Sequence, residues 1–268
     1  MVTAARQESS TVSALDHERM QRAAELLLRA RRETAPMAEL PEKLRPHTLA
    51  EAYALQDMMA MTLSPIGGWK VGAPSPEATP LFSAMPFWGG YIPSGQRVSR
   101  NFRRLCGVEA EIAFLMGQDL PPRDQAYTRE EVTDAIASAH PAIELLESAF
   151  NDPDKVDRLS VIGDLQSNGG FAYGPAFAGW QSANFLDEAV TVYVDGQVRV
   201  SDKASNSAGT DLLRLVVWLA NEGKARTGGL RKGDWITTGS WSGKTYAMSG
   251  STVLVSFSAF GEVTITFE

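Results

Sequence analysis

Glu109 and Glu111 lie two residues apart, and a third glutamate, Glu144, follows in an apolar segment. If the first segment is an extended strand, the two side chains project from the same face, roughly 6–7 Å apart. No Lys or Arg lies between Leu105 and Gln118 to neutralise them. Two like charges this close cost free energy unless water or a cation offsets the repulsion, and hard divalent cations prefer carboxylate oxygens.

Two interpretations of this pattern remain open from spacing alone. The next residues on the same face are Ala113 and Leu115, which is not typical of a solvated strand face and favours a metal site. A glutamate pair of this kind also occurs on the exposed face of an antiparallel sheet. The sequence does not show that Glu144 meets the pair.

Composition and charge limit the classes of partner. The chain has 268 residues with a net charge of −7 and a pI of about 5.1, which argues against nucleic acid or an anionic membrane as the main partner. No segment approaches the ~20 apolar residues of a membrane span. Cys106 is the single cysteine, so no disulfide can form within the chain. We therefore expect a cytoplasmic protein.

Periodicity predicts helices first and strands afterwards. Apolar spacing predicts a helix over Leu15–Arg32. Two capping-box patterns, Thr48-Leu-Ala-Glu51 and Thr128-Arg-Glu-Glu131, predict the start of two further helices. Val108–Met116 alternates as a strand does, and Asp195-Gly196 is typical of a hairpin turn. Further elements are expected at 209–222 (helix), 233–238, 252–258 and 262–267 (strands). We predict an α+β fold, with a helical segment at 1–66 and a β-rich domain at 67–268.

Several common catalytic motifs are not matched. The segment Gly239–Thr245 has three residues between its glycines, whereas a phosphate-binding loop has four, and a strand pattern follows it instead of a helix. Trp241 occupies the position that a nucleophilic serine would need. The chain also lacks the Cys/His spacing of a zinc site.

Seven short segments, in this order along the chain, resemble the 2-keto-4-pentenoate hydratase branch of the fumarylacetoacetate hydrolase superfamily. This branch also includes 2-oxo-3-hexenedioate decarboxylases. The resemblance implies a β-rich roll with a mixed sheet and a homo-oligomer. The matching segments are Ala52–Gln56, Gly68–Gly72, Val108–Phe114, Pro141–Glu144, Gly169–Phe171, Trp218–Asn221 and Thr238–Ser240.

The resemblance also implies a metal centre. Glu109, Glu111 and Glu144 would bind one Mg²⁺ or Mn²⁺, and Lys70 would lie beside the metal as a catalytic residue. Without the matching segment, Lys70 would be interpreted as an exposed lysine. The cation would bind the 1-carboxylate and 2-oxygen of a 2-hydroxy-2,4-dienoate and act as a Lewis acid.

Three more residues receive roles by the same resemblance. Asp164 and Ser240 would lie near the substrate, and Glu147 is a candidate base for activating water. Two departures from the family's pattern affect the substrate assignment: Leu165 replaces an amide side chain, and Ala149 replaces an arginine. The loss of that arginine could change which substrate carboxylate is recognised.

The resemblance implies a divalent-metal-dependent hydro-lyase that acts in aromatic ring catabolism. It would add water to a 2-hydroxy-2,4-dienoate and give a 4-hydroxy-2-oxo acid. Decarboxylation of a 2-oxo-enedioate and hydrolysis of an acylpyruvate are alternatives on the same metal site. A non-enzymatic alternative is a silent homologue that serves as a binding or complex-forming subunit.

Overall fold

Helices occupy the first part of the chain and strands most of the remainder. The computed structural model describes residues 14–87, 90–99 and 104–268, and the chain divides into two units. The first unit comprises residues up to Thr62 together with Ser148–Ser167, and the second comprises Leu63–Glu147 and Asn168–Glu268. No helix in the described ranges has the length and apolar character needed to span a membrane.

The first unit has three α-helices in the residues that the structure describes. Thr48 begins the second of them, because its hydroxyl accepts a hydrogen bond from the Glu51 backbone N–H at 3.2 Å, as the capping pattern predicts. The 148–167 segment was expected in the β-rich domain, but it joins the N-terminal helices in this unit. The helices are α1 (Ala14–Arg32), α2 (Leu49–Leu63, which ends one residue beyond the unit) and α4 (Arg158–Gly163).

The second unit holds two mixed β-sheets. The larger sheet has the strand order β2-β1-β10-β5-β6-β7-β3, with β11 also paired to β5, and the smaller has the order β4-β13-β12-β8-β9. The strands are β1 (Ile66–Gly72), β2 (Leu81–Pro86), β3 (Tyr91–Pro93), β4 (Gln96–Val98), β5 (Gly107–Met116), β6 (Ile136–Leu146), β7 (Asn168–Tyr173), β8 (Ala189–Val194), β9 (Gln197–Lys203), β10 (Trp235–Thr237), β11 (Thr245–Tyr246), β12 (Thr252–Phe257) and β13 (Gly261–Phe267).

Three further helices belong to this unit. Thr128 caps α3 with the full capping box that its sequence predicts, and Asp211 caps α5 by accepting a hydrogen bond from the Arg214 N–H. The helices are α3 (Arg129–Ala135), α5 (Leu212–Glu222) and α6 (Lys224–Thr227). The predicted α+β class is confirmed.

Strand β5 has one apolar face and one face that carries the glutamates. Val108, Ala110, Ile112 and Phe114 are all fully buried on one face, which confirms the predicted alternation. Strands β12 and β13 of the smaller sheet contact the neighbouring β6. The glutamates lie on the opposite face, which we call the inner face.

The inner face lies within a curl of the larger sheet. Strands β2 and β7 are distant in the strand order but contact each other, so the sheet bends back on itself. An apolar cluster, which we call the apolar plug, lies on this face beside the glutamates: Met85, Ala113, Ala142, Phe171 and Trp235. Two of its members pair directly with glutamates, Ala142 with Glu111 and Phe171 with Glu144.

Candidate metal centre

The three glutamates converge on the inner face. In the register of β5 and β6, Glu109 pairs with Glu144 and Glu111 pairs with Ala142. One carboxylate oxygen from each glutamate lies within 4.8 Å of the others. Glu111 and Glu144 are 1% and 0% exposed, and Glu109 is half-buried. An exposed strand face is therefore excluded for these residues.

Lys70 brings an ammonium group to the carboxylates. Its strand, β1, lies two positions from β5 in the sheet, because β10 runs between them. The Nζ atom lies 2.8 Å from both oxygens of Glu144 and donates a hydrogen bond to Oε1. The Lys70 side chain is only 13% exposed. The alternative interpretation of Lys70 as an exposed lysine is therefore wrong.

Burial and charge act on the acid–base properties of this cluster. Burial, the negative charge of Glu144 and that of Glu109 raise the pKa of Glu111 well above its usual range, against the opposing charge of Lys70. Burial works against the charged form of Lys70, but Glu144, Glu109 and Glu111 outweigh it and raise the pKa of the ammonium. The protein alone therefore holds excess negative charge in a buried place.

A hard divalent cation fits this group. Three carboxylates and one ammonium leave a formal charge of −2, which a divalent cation balances. Glu144 Oε2 is buried and lies 2.8 Å from Lys70 Nζ, and a carboxylate oxygen has a further lone pair that can bind a cation. Oxygens about 2.1–2.5 Å from one cation lie about 3–5 Å apart, which agrees with the spacing here. Glu109, Glu111 and Glu144 would hold the cation.

Two neighbours orient the carboxylates, and sequence reasoning did not assign either. Asn168 donates from Nδ2 to Glu144 Oε1 at 2.9 Å, and the Gly239 backbone N–H donates to Glu111 Oε2 at 3.0 Å. Such supporting hydrogen bonds fix the direction in which a ligand oxygen points. Asn168 directly precedes the matching segment Gly169–Phe171, and that position is the signal in the sequence that could have identified it.

The turn after β10 carries Gly239 into position. Its φ of +85° is the left-handed conformation that glycine adopts most easily. Asn206 donates from Nδ2 to the carbonyls of Thr238 (3.0 Å) and Gly239 (2.9 Å). Ser240 follows directly, is half-buried, and accepts a hydrogen bond from the Ser242 N–H at 3.3 Å. The structure therefore places Ser240 one residue from a group that contacts Glu111.

Glu147 lies just beyond the end of β6, so strand alternation does not decide its direction. It is 2% exposed, and its Oε2 accepts hydrogen bonds from the backbone N–H groups of Arg104 and Leu105. A Cβ at Gly169 would lie 2.6 Å from the Glu147 Cβ, so glycine is needed there for this close approach. Its role as a base stays a prediction.

Asp164 belongs to the first unit. It is fully buried, and its Oδ1 accepts a hydrogen bond from Arg31 Nε at 2.7 Å. Its Oδ2 accepts from the Ser148 hydroxyl (2.7 Å) and the Ala149 N–H (2.8 Å). The structure assigns this carboxylate a structural role within that unit, because both oxygens are already engaged. Its predicted contact with the substrate stays a prediction.

The sequence profile described as "Fumarylacetoacetate (FAA) hydrolase C-terminal" matches residues 67–268. This span covers most of the chain and contains all three glutamates and Lys70. The chain belongs to the fumarylacetoacetate hydrolase family. The expected superfamily is thereby confirmed.

Relatives of the chain within this family are enzymes. The 2-keto-4-pentenoate hydratase 2 of Dechloromonas aromatica (strain RCB) is 25% identical over an alignment of 264 positions, which covers 91% of this chain and 96% of that protein. The 4-oxalocrotonate decarboxylase of Pseudomonas putida G7, solved with magnesium and adipate, superposes with a TM-score of 0.78 at 21% identity, covering 94% of this chain and 98% of that one. The fumarylpyruvate hydrolase of Pseudomonas aeruginosa, solved with Mn²⁺ and pyruvate, has a TM-score of 0.55 at 15% identity, covering 74% and 88%. The expected hydratase-type enzyme is confirmed at the level of family and relatives.

Proposed function

We propose that this protein is a divalent-metal-dependent hydratase that adds water to a 2-hydroxy-2,4-dienoate and releases a 4-hydroxy-2-oxo acid. The observation that carries the proposal is the buried set of three glutamates with Lys70 against one of them. The relative that matches nearly the whole chain is named as a hydratase of this substrate class. We further propose Mg²⁺ or Mn²⁺ as the cation, since two structural neighbours were solved with these ions.

The bound cation would supply Lewis-acid stabilisation of negative charge on the 2-oxygen of the substrate. Lys70 contributes a second positive charge in a place with little water, where electrostatic interactions are stronger than in bulk solvent. The ammonium also has protons to donate to a developing oxyanion. We propose Lys70 as the residue that stabilises or relays this charge.

Three further residues complete the proposal. Glu147 is our candidate for activating water, because it is a buried carboxylate held by two backbone N–H groups. Ser240 is proposed to contact the substrate, because it follows the glycine that binds Glu111. Asp164 is proposed as a substrate contact on the family resemblance alone, since Arg31, Ser148 and Ala149 already donate hydrogen bonds to its carboxylate.

The reaction test uses the purified protein with Mg²⁺ and three substrates in separate incubations. We expect the 2-hydroxy-2,4-dienoate to lose its conjugated absorbance and to gain one water by mass. Release of CO₂ from a 2-oxo-enedioate, without hydration of the dienoate, would show that the protein is a decarboxylase and not a hydratase. Cleaved acids from an acylpyruvate alone would indicate a hydrolase. Binding of all three without turnover would indicate a silent homologue.

The decarboxylase is the second candidate. A specific observation favours it: the decarboxylase neighbour superposes over 94% of this chain with a TM-score of 0.78. That neighbour was solved with adipate, which carries two carboxylates. The arginine that is usual in the family's pattern is replaced here by Ala149, which is fully buried. The reaction test with separate substrates therefore decides between the two enzymes.

The metal proposal has its own test, which does not depend on the substrate. Calorimetry with Mn²⁺ should detect one site per chain in the wild type, and Glu111→Ala should lose it because a buried ligand is removed. Unchanged Mn²⁺ affinity in this variant would contradict the metal assignment.

The role of Lys70 is tested by the turnover of Lys70→Ala. Undiminished turnover in this variant would show that Lys70 has no part in the chemistry.

A further inference from the structure

The hydroxyl of Thr237 is a buried polar group without a partner. Thr237 is the last residue of β10 and is fully buried. Its Oγ1 has no hydrogen-bond partner in the part of the chain that the structure describes. An unsatisfied buried hydroxyl lowers stability, and valine would fill the same space without this penalty. The stability of the fold therefore does not explain why residue 237 is a threonine.

Strand register places this side chain on the inner face. Thr237 pairs with Lys70 of β1 on one side and with Ala113 of β5 on the other. Directly paired residues project from the same face, and Ala113 shares its face with Glu111 by alternation. The hydroxyl thus lies in the strand between Lys70 and the metal-binding strand. It also lies two residues from Trp235, which belongs to the apolar plug.

The next residue provides a natural comparison. Thr238 is equally buried, but its hydroxyl donates to the Ile112 carbonyl at 2.7 Å. The Thr238 hydroxyl thus has a hydrogen-bond partner within the described residues, and the Thr237 hydroxyl has none. Lys70, which pairs with Thr237 in the register, lies 2.8 Å from both oxygens of Glu144, the proposed cation ligand. A ligand held by a cation at Glu144 would therefore lie near the Thr237 hydroxyl.

We propose that Thr237 is a substrate-positioning residue whose hydroxyl donates a hydrogen bond to a carboxylate oxygen of the 2-oxo acid. This assignment rests on the proposed function, since it needs an anionic oxygen ligand held by the cation. Thr237 and Lys70 are adjacent donors in the register, and a carboxylate supplies the acceptor that Thr237 lacks. A hydrogen bond from a hydroxyl to a charged oxygen is among the stronger ones. The chain therefore retains a threonine where the fold alone would favour valine.

The test uses oxalate as a stable 2-oxo acid analogue, with calorimetry on the Mn²⁺-loaded protein. Thr237→Val should leave Mn²⁺ affinity unchanged and lower oxalate affinity about tenfold or more. Without metal, the variant should melt at the same temperature as the wild type or higher, because the unsatisfied hydroxyl is gone. Thr237→Ser, which keeps the hydroxyl, should restore most of the oxalate affinity. A purely structural role would not give this combination.

Thr238→Val is the matched control, and it should lower the melting temperature because the Ile112 carbonyl loses its partner. Equal oxalate affinity in Thr237→Val and the wild type would overturn the assignment. A lower melting temperature of Thr237→Val, accompanied by weaker Mn²⁺ binding, would also overturn it, because that result indicates a structural role. Failure of the Mn²⁺-loaded wild type to bind oxalate would count against the proposed function itself, and the assignment would fall with it.

Discussion

At the scale of single residues, the site is defined by charges that the protein alone does not balance. Glu111 and Glu144 are buried carboxylates, and Lys70 supplies one ammonium to the group. Burying a charge without a partner is costly, so the arrangement is stable only with a counter-ion. The metal-free protein uses Lys70 in that role toward Glu144.

Replacement of Lys70 by methionine tests this balance. At pH 8, Lys70→Met should destabilise the metal-free protein by about 3 kcal/mol, since it leaves buried carboxylates without their ammonium. Added Mg²⁺ should recover much of this loss. The measurement is urea unfolding with and without Mg²⁺, and Lys232→Met, at an exposed position, is the control. Equal destabilisation by both variants would contradict the role of Lys70.

His140 gives a pH prediction away from the glutamates. Its Nδ1 lies 2.8 Å from the Gly174 carbonyl oxygen and its Nε2 lies 2.8 Å from the Ser138 hydroxyl, and burial lowers the pKa of the imidazole. The unfolded chain therefore binds a proton more readily than the folded protein. Proton binding by the unfolded chain therefore lowers the stability of the fold as the pH falls below the unfolded pKa of about 6.5. Above that pH, the imidazole is neutral in both states and stability does not depend on it. An NMR titration should give a midpoint below 6.5 for His140, and a midpoint at or above it would contradict the prediction.

At the scale of elements, one side chain fixes the turn that follows β10. Asn206 is 5% exposed, donates to the carbonyls of Thr238 and Gly239, and accepts from the Ala208 N–H. Within this turn, the Gly239 N–H donates a hydrogen bond to Glu111. The position of Glu111, a proposed metal ligand, thus depends on an asparagine that lies more than thirty residues before the turn in the chain.

The variant Asn206→Asp tests this dependence. It replaces the donor by an oxygen that faces two carbonyl oxygens, so we expect a loss of about 1–3 kcal/mol of stability. We also expect weaker Mn²⁺ binding, because Glu111 loses its fixed partner. Thermal unfolding and Mn²⁺ calorimetry measure the two effects, with the exposed Asn151→Asp as the control for added charge. Wild-type Mn²⁺ affinity in Asn206→Asp would show that the turn does not position Glu111.

At the scale of the whole molecule, metal binding should be visible as stability. A ligand that binds only the folded protein adds about 2.7 kcal/mol when its concentration is 100 times its Kd. Mg²⁺ or Mn²⁺ should therefore raise the melting temperature, and EDTA should reverse the change. Glu111→Ala should show no such shift. An equal rise in this variant would indicate that the ions act elsewhere on the protein.

Three expectations about the whole molecule stay predictions. The homo-oligomer follows from the family resemblance, and the cytoplasmic location follows from the composition. The third is the boundary at residue 66, although the structure groups Ser148–Ser167 with the N-terminal helices.

Local patterns in the sequence were sufficient to predict several elements. Alternation predicted strand β5, the Asp195-Gly196 turn predicted the β8–β9 hairpin, and Thr128 predicted the start of α3. Each of these depends on residues within a few positions of one another. Strands β2 and β3 were not predicted, because they lie in a proline-rich segment and proline usually argues against a strand. Both strands lie at the edges of the larger sheet, where proline is tolerated.

The sequence by itself determined that Glu109 and Glu111 share a face, because strand alternation is a local property. Only the tertiary structure decided that Glu144 joins them, since that depends on the register between β5 and β6. It also decided that Lys70 reaches Glu144 and that Thr237 lies beside Lys70, through the parallel pairing of β1 with β10. Register and strand order are set by burial over the whole sheet, and no short stretch of sequence carries that information.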